Sequence, residues 1–426
     1  MRRRWLLLAS VTLCPTLTAQ APPVVSLDQA QQIALGNHPK IAAVALTAQA
    51  SGFQVKEARS AYFPTLSVNV TGVGTEHGSV LSAGAVTTSS IYSRQSTGVV
   101  LNQLITDFGR TADLIKSAKL RNESENQNVT NTRAQVLVSV QQAYYRALAA
   151  QSVLKVAQAT LSLRRVTLRQ VTALAQSALR STVDVSFAQV NESQAELDLL
   201  RAENDAIASH SELSAAMGYD HDQPFSLNDE PLPAALNPNV DALIQEANRE
   251  RPDLAALRLN QKALDRYADA EKDLRNPTIS LGAVAGVAPV RDPRLPESYS
   301  GAGVNISIPV LNGGLFKARR EEAEARAAAA AKDVQDLSVQ VARDVRVAWL
   351  NANDAFRRLD VTARMEAQAN ESLRLAQARY DAALGSIVEL NTAQLNQTAS
   401  QIAAASAKYD YLSARAALNY TMGLLR

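Results

Sequence analysis

Two periodicities alternate along this chain, and each occurs twice. In "TLSVNVTGVG", from Thr65, the step is two. Leu66, Val68 and Val70 share one face, and Ser67, Asn69 and Thr71 share the other. In "AGVNISIPV", Val304, Ile306, Ile308 and Val310 oppose Gly303, Asn305 and Ser307. Two further strands, 277–288 and 97–105, are less regular, and Gln103 breaks the apolar face of the second. Strands of about ten residues, apolar on one side and small-polar on the other, match transmembrane barrel strands. A half-buried soluble sheet alternates in the same way, but the absence of a second apolar layer favours the membrane. The predicted loops 76–96 and 289–297 are rich in Ser, Gly, Thr or Pro, as expected outside the cell.

From Asp107 to Ser177 there is no Pro, and no Gly beyond Gly109. That predicts a helix of up to 71 residues, roughly 105 Å long at 1.5 Å per residue. Val136, Val140, Ala143, Ala147, Ala150, Leu154, Ala157 and Leu161 are spaced alternately by four and three, the signature of a coiled coil. The pattern returns at Val341, Val345, Ala348, Ala352, Ala355 and Leu359. Shorter helices are predicted over 182–217 and 39–62. Stacked end to end they span roughly 90 Å, nearly the length of the long helix. The expected result is a helical wall of one continuous and one composite helix, formed twice.

The duplication is explicit in the letters. "ALRSTVDVSFAQ" at 178–189 and "ALGSIVELNTAQ" at 383–394 stand 205 positions apart and agree at six of twelve places. The same offset matches Gly98 with Gly303, Gly109 with Gly314, and Met217-Gly218 with Met422-Gly423. Upstream it becomes 213, matching Pro39 with Pro252 and Pro64 with Pro277. The first half therefore carries the longer insertion between Pro64 and Gly98. A long-period repeat of this kind decides the architecture before any single residue does. Local signals agree with it. Ser26 and Gln29 form a capping box, Pro39 and Pro252 suit a first helical turn, and Pro64 and Pro277 end helices before strands.

The opening "MRRRWLLLASVTLCPTLTAQAPP" reads as a secretory leader, cleaved near 19–21. Its apolar run is too short to span a bilayer. Arg2, Arg3 and Arg4 leave with it, so a formal charge of +2 becomes −1. No basic patch then points to nucleic acid. Cys14 is the sole cysteine, which excludes a disulfide within the chain. It is a weak lipidation candidate, since Leu13 is bulky where a lipobox has a small residue. Otherwise it departs with the leader.

Motifs that suggest chemistry have plainer readings. "DFG" at 107–109 and "NGG" at 312–314 occupy matching places between strand and long helix, so both read as tight turns. His38, His77, His210 and His221 show no ligand spacing. No catalytic residue, metal or cofactor is predicted, and the chain does not read as an enzyme.

In order, spacing and duplication, these residues resemble the outer membrane factor family over about 26–423. The resemblance rests on the Pro64 and Pro277 joints, "LITDFG" at 104–109, "SIPVLNGG" at 307–314 and the twin turns. It implies a mainly helical protein with membrane β-structure, in which four strands per chain and long helical hairpins assemble as a trimer. The trimer would form a twelve-stranded barrel and a periplasmic tunnel, with no cofactor. The chain then divides into a leader (1–21), a first repeat (22–218), a Pro-rich equatorial linker (219–239) and a second repeat (240–426). The first repeat holds the strand pair 65–75/97–105 and the hairpin 107–217. The second holds 277–288/301–310 and the hairpin 312–422. The implied partners are two further copies, outer-membrane lipid, a periplasmic adaptor and an inner-membrane pump. The implied site is the outer membrane of a Gram-negative-type bacterium. Oligomerisation follows from the strands alone, because four cannot close a barrel and the smallest membrane barrels need eight. The number three comes from the resemblance. A periplasmic coiled-coil adaptor and an envelope-spanning fibre are the rival readings. The first would need β-rich halves around a single hairpin. The second would not need strands with polar inner faces.

The twin turns are the candidate site. Ala178, Leu179 and Ser181, with Ala383, Leu384 and Ser386, form the hairpin tips expected to dock the adaptor. Gly385 is the residue expected to take a positive φ. Ser181 to Asp184 and Ser386 to Glu389 have capping-box spacing. The same acids would also charge a narrow tunnel end, and the two readings are compatible. In the resembled family, acids one turn apart in the second repeat guard the aperture. Glu389 matches the first and Thr392, uncharged, the second. The family's gate-locking arginine matches Gly385, and Arg180 in the first copy is the candidate substitute.

Overall fold

Local chemistry sets the helix starts. Ser26 Oγ accepts from the Gln29 backbone N–H at 3.3 Å, and Gln29 Oε1 accepts from the Ser26 N–H at 3.0 Å. The predicted capping box is therefore formed. The structure, a computed structural model, describes residues 23–74, 82–83, 86–87, 94–289 and 296–425. The leader, Cys14 and most of the two predicted outer loops lie outside the described residues. In chain order the first half holds β1 (Val24–Val25), α1 (Leu27–Asn37), α2 (Pro39–Ser60), β2 (Thr65–Val73), β3 (Ser82–Ala83) and β4 (Val86–Thr87). It continues with β5 (Arg94–Thr106), α3 (Arg110–Gln176) and α4 (Thr182–Ala216). The two-residue β6 (Ser226–Leu227) pairs in parallel with β1. The second half holds α5 (Val240–Glu250), α6 (Pro252–Lys272), β7 (Thr278–Val287), β8 (Ser298–Ser307), α7 (Leu315–Asp381) and α8 (Ile387–Thr421). The two long helices have 67 residues each, and their returning partners 35 each.

The long helices start three residues later than the unbroken run of letters suggests, because a left-handed turn precedes each. Phe108 and Gly109 take φ of 54° and 120°, and Gly313 and Gly314 take 61° and 85°. The buried Asp107 carboxylate ties the first turn together, accepting from Gly109 N at 3.3 Å and Thr111 N at 2.7 Å. "DFG" and "NGG" are thus strand-to-helix turns.

Four strands form one antiparallel sheet in the order β2-β5-β7-β8. The pairing of β5 with β7 joins the two repeats. The register places Leu66, Val68 and Val70 beside Val99 and Leu101, then Leu281, Ala283 and Ala285, then Val304 and Ile306. The opposite face carries Ser67, Asn69, Gly98, Asn102, Gly282, Gly303 and Asn305. The first face is the more apolar, while the second mixes polar residues and glycine with Val100, Leu104 and Val284. Gln103 belongs by register to the apolar face, but its amide turns aside to donate to the Tyr62 carbonyl at 2.7 Å. The outer edges of β2 and β8 carry no partner among the described residues.

The last strand departs from expectation. It runs 298–307 rather than 301–310, so Ile308 and Val310 lie beyond it. Pro309 has no N–H to give the ladder, and pairing stops before it. Val310 is left 92% exposed. Among the described residues no helix is long and apolar enough to cross a membrane.

Below the sheet the helices form a single wall in two tiers. In the tier next to the sheet the order is α2-α3-α6-α7, and in the far tier it is α4-α3-α8-α7. The heptad residues Val136, Val140, Ala147, Ala157 and Leu161 are buried, as are Val341, Val345, Ala348, Ala352 and Ala355 in the second repeat. Ala188, Ala195 and Ala202 bury the α4 side at seven-residue intervals, and small side chains allow close helix approach. Where the tiers meet, residues 225–237 strap the outside. Tyr144 Oη donates to the Asn228 carbonyl at 2.7 Å, Arg415 to Ala234 at 2.6 Å and Trp349 to Asn237 at 2.9 Å.

Each composite helix turns a corner at a glycine. Gly218 and Gly423 have φ of 87° and 76° and sit against the backbone that starts α2 and α6. A Cβ on Gly423 would meet Arg251 N at 2.9 Å. Left-handed strain and a backbone clash add, so Gly423→Ala is expected to cost about 2–4 kcal/mol and to lower the Tm. Gly36, with nothing within 4 Å of its Cβ position, is the control. Gly36→Ala is expected to leave the Tm unchanged or raise it. Thermal unfolding of the two variants checks both.

Candidate functional site

The two hairpin tips are built alike. In the first, Leu179 N–H donates to the Leu174 carbonyl at 2.9 Å, and Ala178 takes φ 57°. In the second, Leu384 N–H donates to Arg379 O at 2.8 Å, and Ala383 takes φ 62°. Both are helix ends closed by a left-handed residue. That residue is alanine in each copy, so the expectation for Gly385 is corrected: its φ is not positive. Gly385 is needed for closeness instead. A Cβ there would lie 3.2 Å from Arg379 Cβ and 3.3 Å from Glu389 Oε2.

Ser181 and Ser386 both cap the helices that follow, accepting from Val183 N at 3.2 Å and Glu389 N at 3.1 Å. The reciprocal half of a capping box is not formed in either copy. Glu389 instead pairs with Arg379, Oε1 to Nε, at 3.1 Å. Leu179 and Leu384 point away from the wall, 69% and 74% exposed.

A second group forms between the repeats. The Arg180 guanidinium donates to the Tyr380 carbonyl and lies 4.2 Å above the centre of the Tyr380 ring. That ring is buried with Val171, Ala188, Ile387 and Leu390, a cluster drawn from α3, α4, α7 and α8. Burial, and then the nearby charge of Asp184, raise the pKa of the Tyr380 hydroxyl. The hydroxyl itself makes no hydrogen bond of standard geometry. Cation–π contact plus a charged hydrogen bond contributes about 1–3 kcal/mol, enough to hold the first turn against the end of α7.

The site residues thus fall into two sets. Arg180 and Asp184 meet at Tyr380, and Glu389 meets Arg379 at Gly385. Arg379 and Tyr380 are consecutive in α7, and the two sets adjoin there. Thr392 joins neither, since its hydroxyl donates to the Val388 carbonyl one turn back at 2.8 Å. Arg379 and Tyr380 were not singled out from the sequence. A signal existed: the repeat places Leu174 and Ala175 at the same two positions, so Arg379-Tyr380 is a departure from symmetry.

A four-stranded antiparallel sheet carried on duplicated hairpins of 67- and 35-residue helices is the architecture that the family resemblance implies. The chain belongs to the outer membrane efflux protein family, whose model matches residues 30–219 and 243–424. It is 23% identical over 418 residues to outer membrane protein TolC of Salmonella enteritidis, covering 94% of this chain and 82% of that protein. In fold it is similar to a membrane protein from Pseudomonas aeruginosa, with a TM-score of 0.81, 21% identity and 93% of each chain covered. The CmeC outer membrane channel of Campylobacter jejuni is also similar, with a TM-score of 0.77, 15% identity and 93% and 85% of the chains covered. The family assignment removes the adaptor and fibre alternatives.

Proposed function

We propose that three copies close a twelve-stranded barrel and a helical tunnel, forming the passive exit duct of a tripartite efflux or type I secretion system. The observation that carries this is the sheet with two unpaired edges and one apolar face. Two copies would bring eight strands, whose interior fills with side chains, whereas three leave a channel. The helical wall points the same way. Its terminal helices expose Val190 and Leu197 on α4 and Val347, Leu350 and Val361 on α7, faces that a neighbouring copy would cover. The apolar face then meets outer-membrane lipid and the polar face lines the pore. The repeats 22–218 and 240–426 extend into the periplasm, and the linker 219–239 forms a belt at mid-height. A partner pump supplies the work.

In this reading the hairpin tips form the periplasmic aperture. Arg180 on Tyr380, with Asp184, and Arg379 on Glu389 are the contacts that hold it narrow. Ala178, Leu179, Ser181, Ala383, Leu384 and Ser386 form the surface for an adaptor. Native mass spectrometry in detergent tests the assembly, with three chains expected; a stable monomer that keeps its β-signal rejects it. Single-channel recording tests the aperture. Arg180→Ala is expected to raise resting conductance. Unchanged closed conductance would leave Arg180 as a structural turn residue. Glu389→Gln leaves Arg379 unpaired, so the mouth gains positive charge and should lose cation selectivity.

A further inference from the structure

One row of the sheet holds a ring where two side chains are missing. By register Asn69 is opposite Gly98, Gly98 opposite Gly286, and Gly286 opposite Tyr299, so the four lie side by side on β2, β5, β7 and β8. All belong to the second face of the sheet, with Asn102, Gly282 and Asn305. A Cβ built on Gly286 would lie 2.5 Å from Tyr299 Oη and 2.6 Å from its Cζ. A Cβ on Gly98 would overlap the same Oη and lie 3.2 Å from Cζ. Neighbouring strands are about 4.8 Å apart, and a strand side chain ordinarily stands off the sheet. To bring its far end over both glycines, the Tyr299 side chain must lie down across β7 and reach β5. Tyr299 is still 43% exposed, so it remains open on the side away from the sheet. The glycines leave bare backbone, and the ring covers it, burying apolar surface of both.

The other glycines of the sheet are not used in this way. Gly72 and Gly303 have nothing within 4 Å of a Cβ position, and Gly282 and Gly301 have only ordinary contacts at 3.9 and 4.0 Å. The repeat does not supply the arrangement either. Gly303 stands 205 positions after Gly98 with no ring above it, and Arg94 stands 205 before Tyr299. Gly286 has a second reason to lack a side chain, because its Cβ would lie 2.5 Å from the Thr97 carbonyl oxygen. For Gly98 the nearest backbone atom is the Ala285 oxygen at 3.1 Å, and the ring is the closer neighbour.

We propose that Gly98 and Gly286 form a slot that lays Tyr299 flat on the barrel wall and so keeps the outer mouth of the duct wide. This rests on the barrel reading above, in which the second face lines the pore. Tyr299 is the second residue of β8, beside the predicted outer loop 289–297, which places it at the outer end of the barrel. Three copies bring three rings to one level. Upright, the rings would project into the lumen and narrow it. Flat, they leave it clear. Gly98 is then a positioning residue that acts on the pore through the ring.

The test reads the width of the mouth from outside. Asn305→Cys puts a thiol on the pore face of β8, deeper in the barrel than Tyr299. The assembled protein in intact cells is treated with a small membrane-impermeant maleimide and with polyethylene glycol maleimides of increasing size. The largest reagent that still labels this protein is then used on further variants. Adding Gly98→Ala is expected to slow that reagent several-fold and to leave the small one unchanged, because the raised ring narrows the mouth. Adding Tyr299→Ala as well is expected to restore the rate. An unchanged rate with Gly98→Ala, or a slowing that persists without the ring, overturns the proposal. A thiol at 305 that resists even the small reagent overturns the barrel reading itself, and the proposal with it. Should Gly98→Ala fail to assemble, a cryo-EM map of the wild-type assembly decides the matter. A Tyr299 ring lying over Gly98 supports the slot, and a ring projecting into the lumen overturns it.

Discussion

Val68→Arg is expected to empty the outer membrane of this protein, while Asn69→Arg leaves it in place. The two positions are adjacent on β2 and face opposite ways. Val68 is opposite Val99 on the apolar face and is 67% exposed, whereas Asn69 is opposite Gly98 on the polar face. An arginine on the lipid side near the midplane costs about 2–4 kcal/mol. In a trimer that cost falls three times on one barrel. On the polar side the same charge reaches water. Ile306→Arg and Asn305→Arg repeat the contrast on β8, where Ile306 is opposite Ile279 and Asn305 opposite Ser280. Membrane fractionation with heat-modifiable gel mobility reads the outcome. Equal loss on both faces would contradict the register.

Replacing Leu179 and Leu384 together with Asp should abolish transport and leave the protein assembled in the membrane. Both side chains are mostly exposed at the tips and belong to no buried cluster. The fold therefore loses nothing when they become polar. Docking would lose much more, since each leucine buried on a partner contributes about 1.5–3 kcal/mol. A carboxylate buried in its place adds a desolvation cost. Cross-linking to the adaptor in cells, beside a transport assay, measures the effect. Normal adaptor cross-linking in the double variant would reject the docking role of the tips.

Much of the architecture was legible because its signals are local. A step of two at Leu66, Val68 and Val70, and of alternating four and three from Val136, reports which face each element buries. Pro39, Pro252 and the Ser26–Gln29 pair mark helix starts through chemistry confined to one turn. The repeat offset carried that reading from one half to the other. The last strand ends at Ser307, short of its alternating pattern, for a local reason too: Pro309 has no N–H for the ladder. The positive φ at Ala178 and Ala383 was not in view. The hydrogen bonds that close each helix end impose it on the residue after the C-cap, two past the last helical residue, whichever that residue is.

The sequence by itself determined the strands, the long hairpins, their duplication and the positions of the tips. Only the tertiary structure decided what meets across them. Arg180 reaches Tyr380 across 200 residues. β5 pairs with β7 across the two repeats. Glu389 lies only ten residues from Arg379, yet the tight turn around Gly385 is what turns its carboxylate to that arginine instead of the helix end. The physical reason is the rotational phase of long helices. Each residue advances about 100° around the axis, so small changes in twist move a side chain from one neighbour to the next. That twist is set by packing along the whole wall, and no local window of letters contains it.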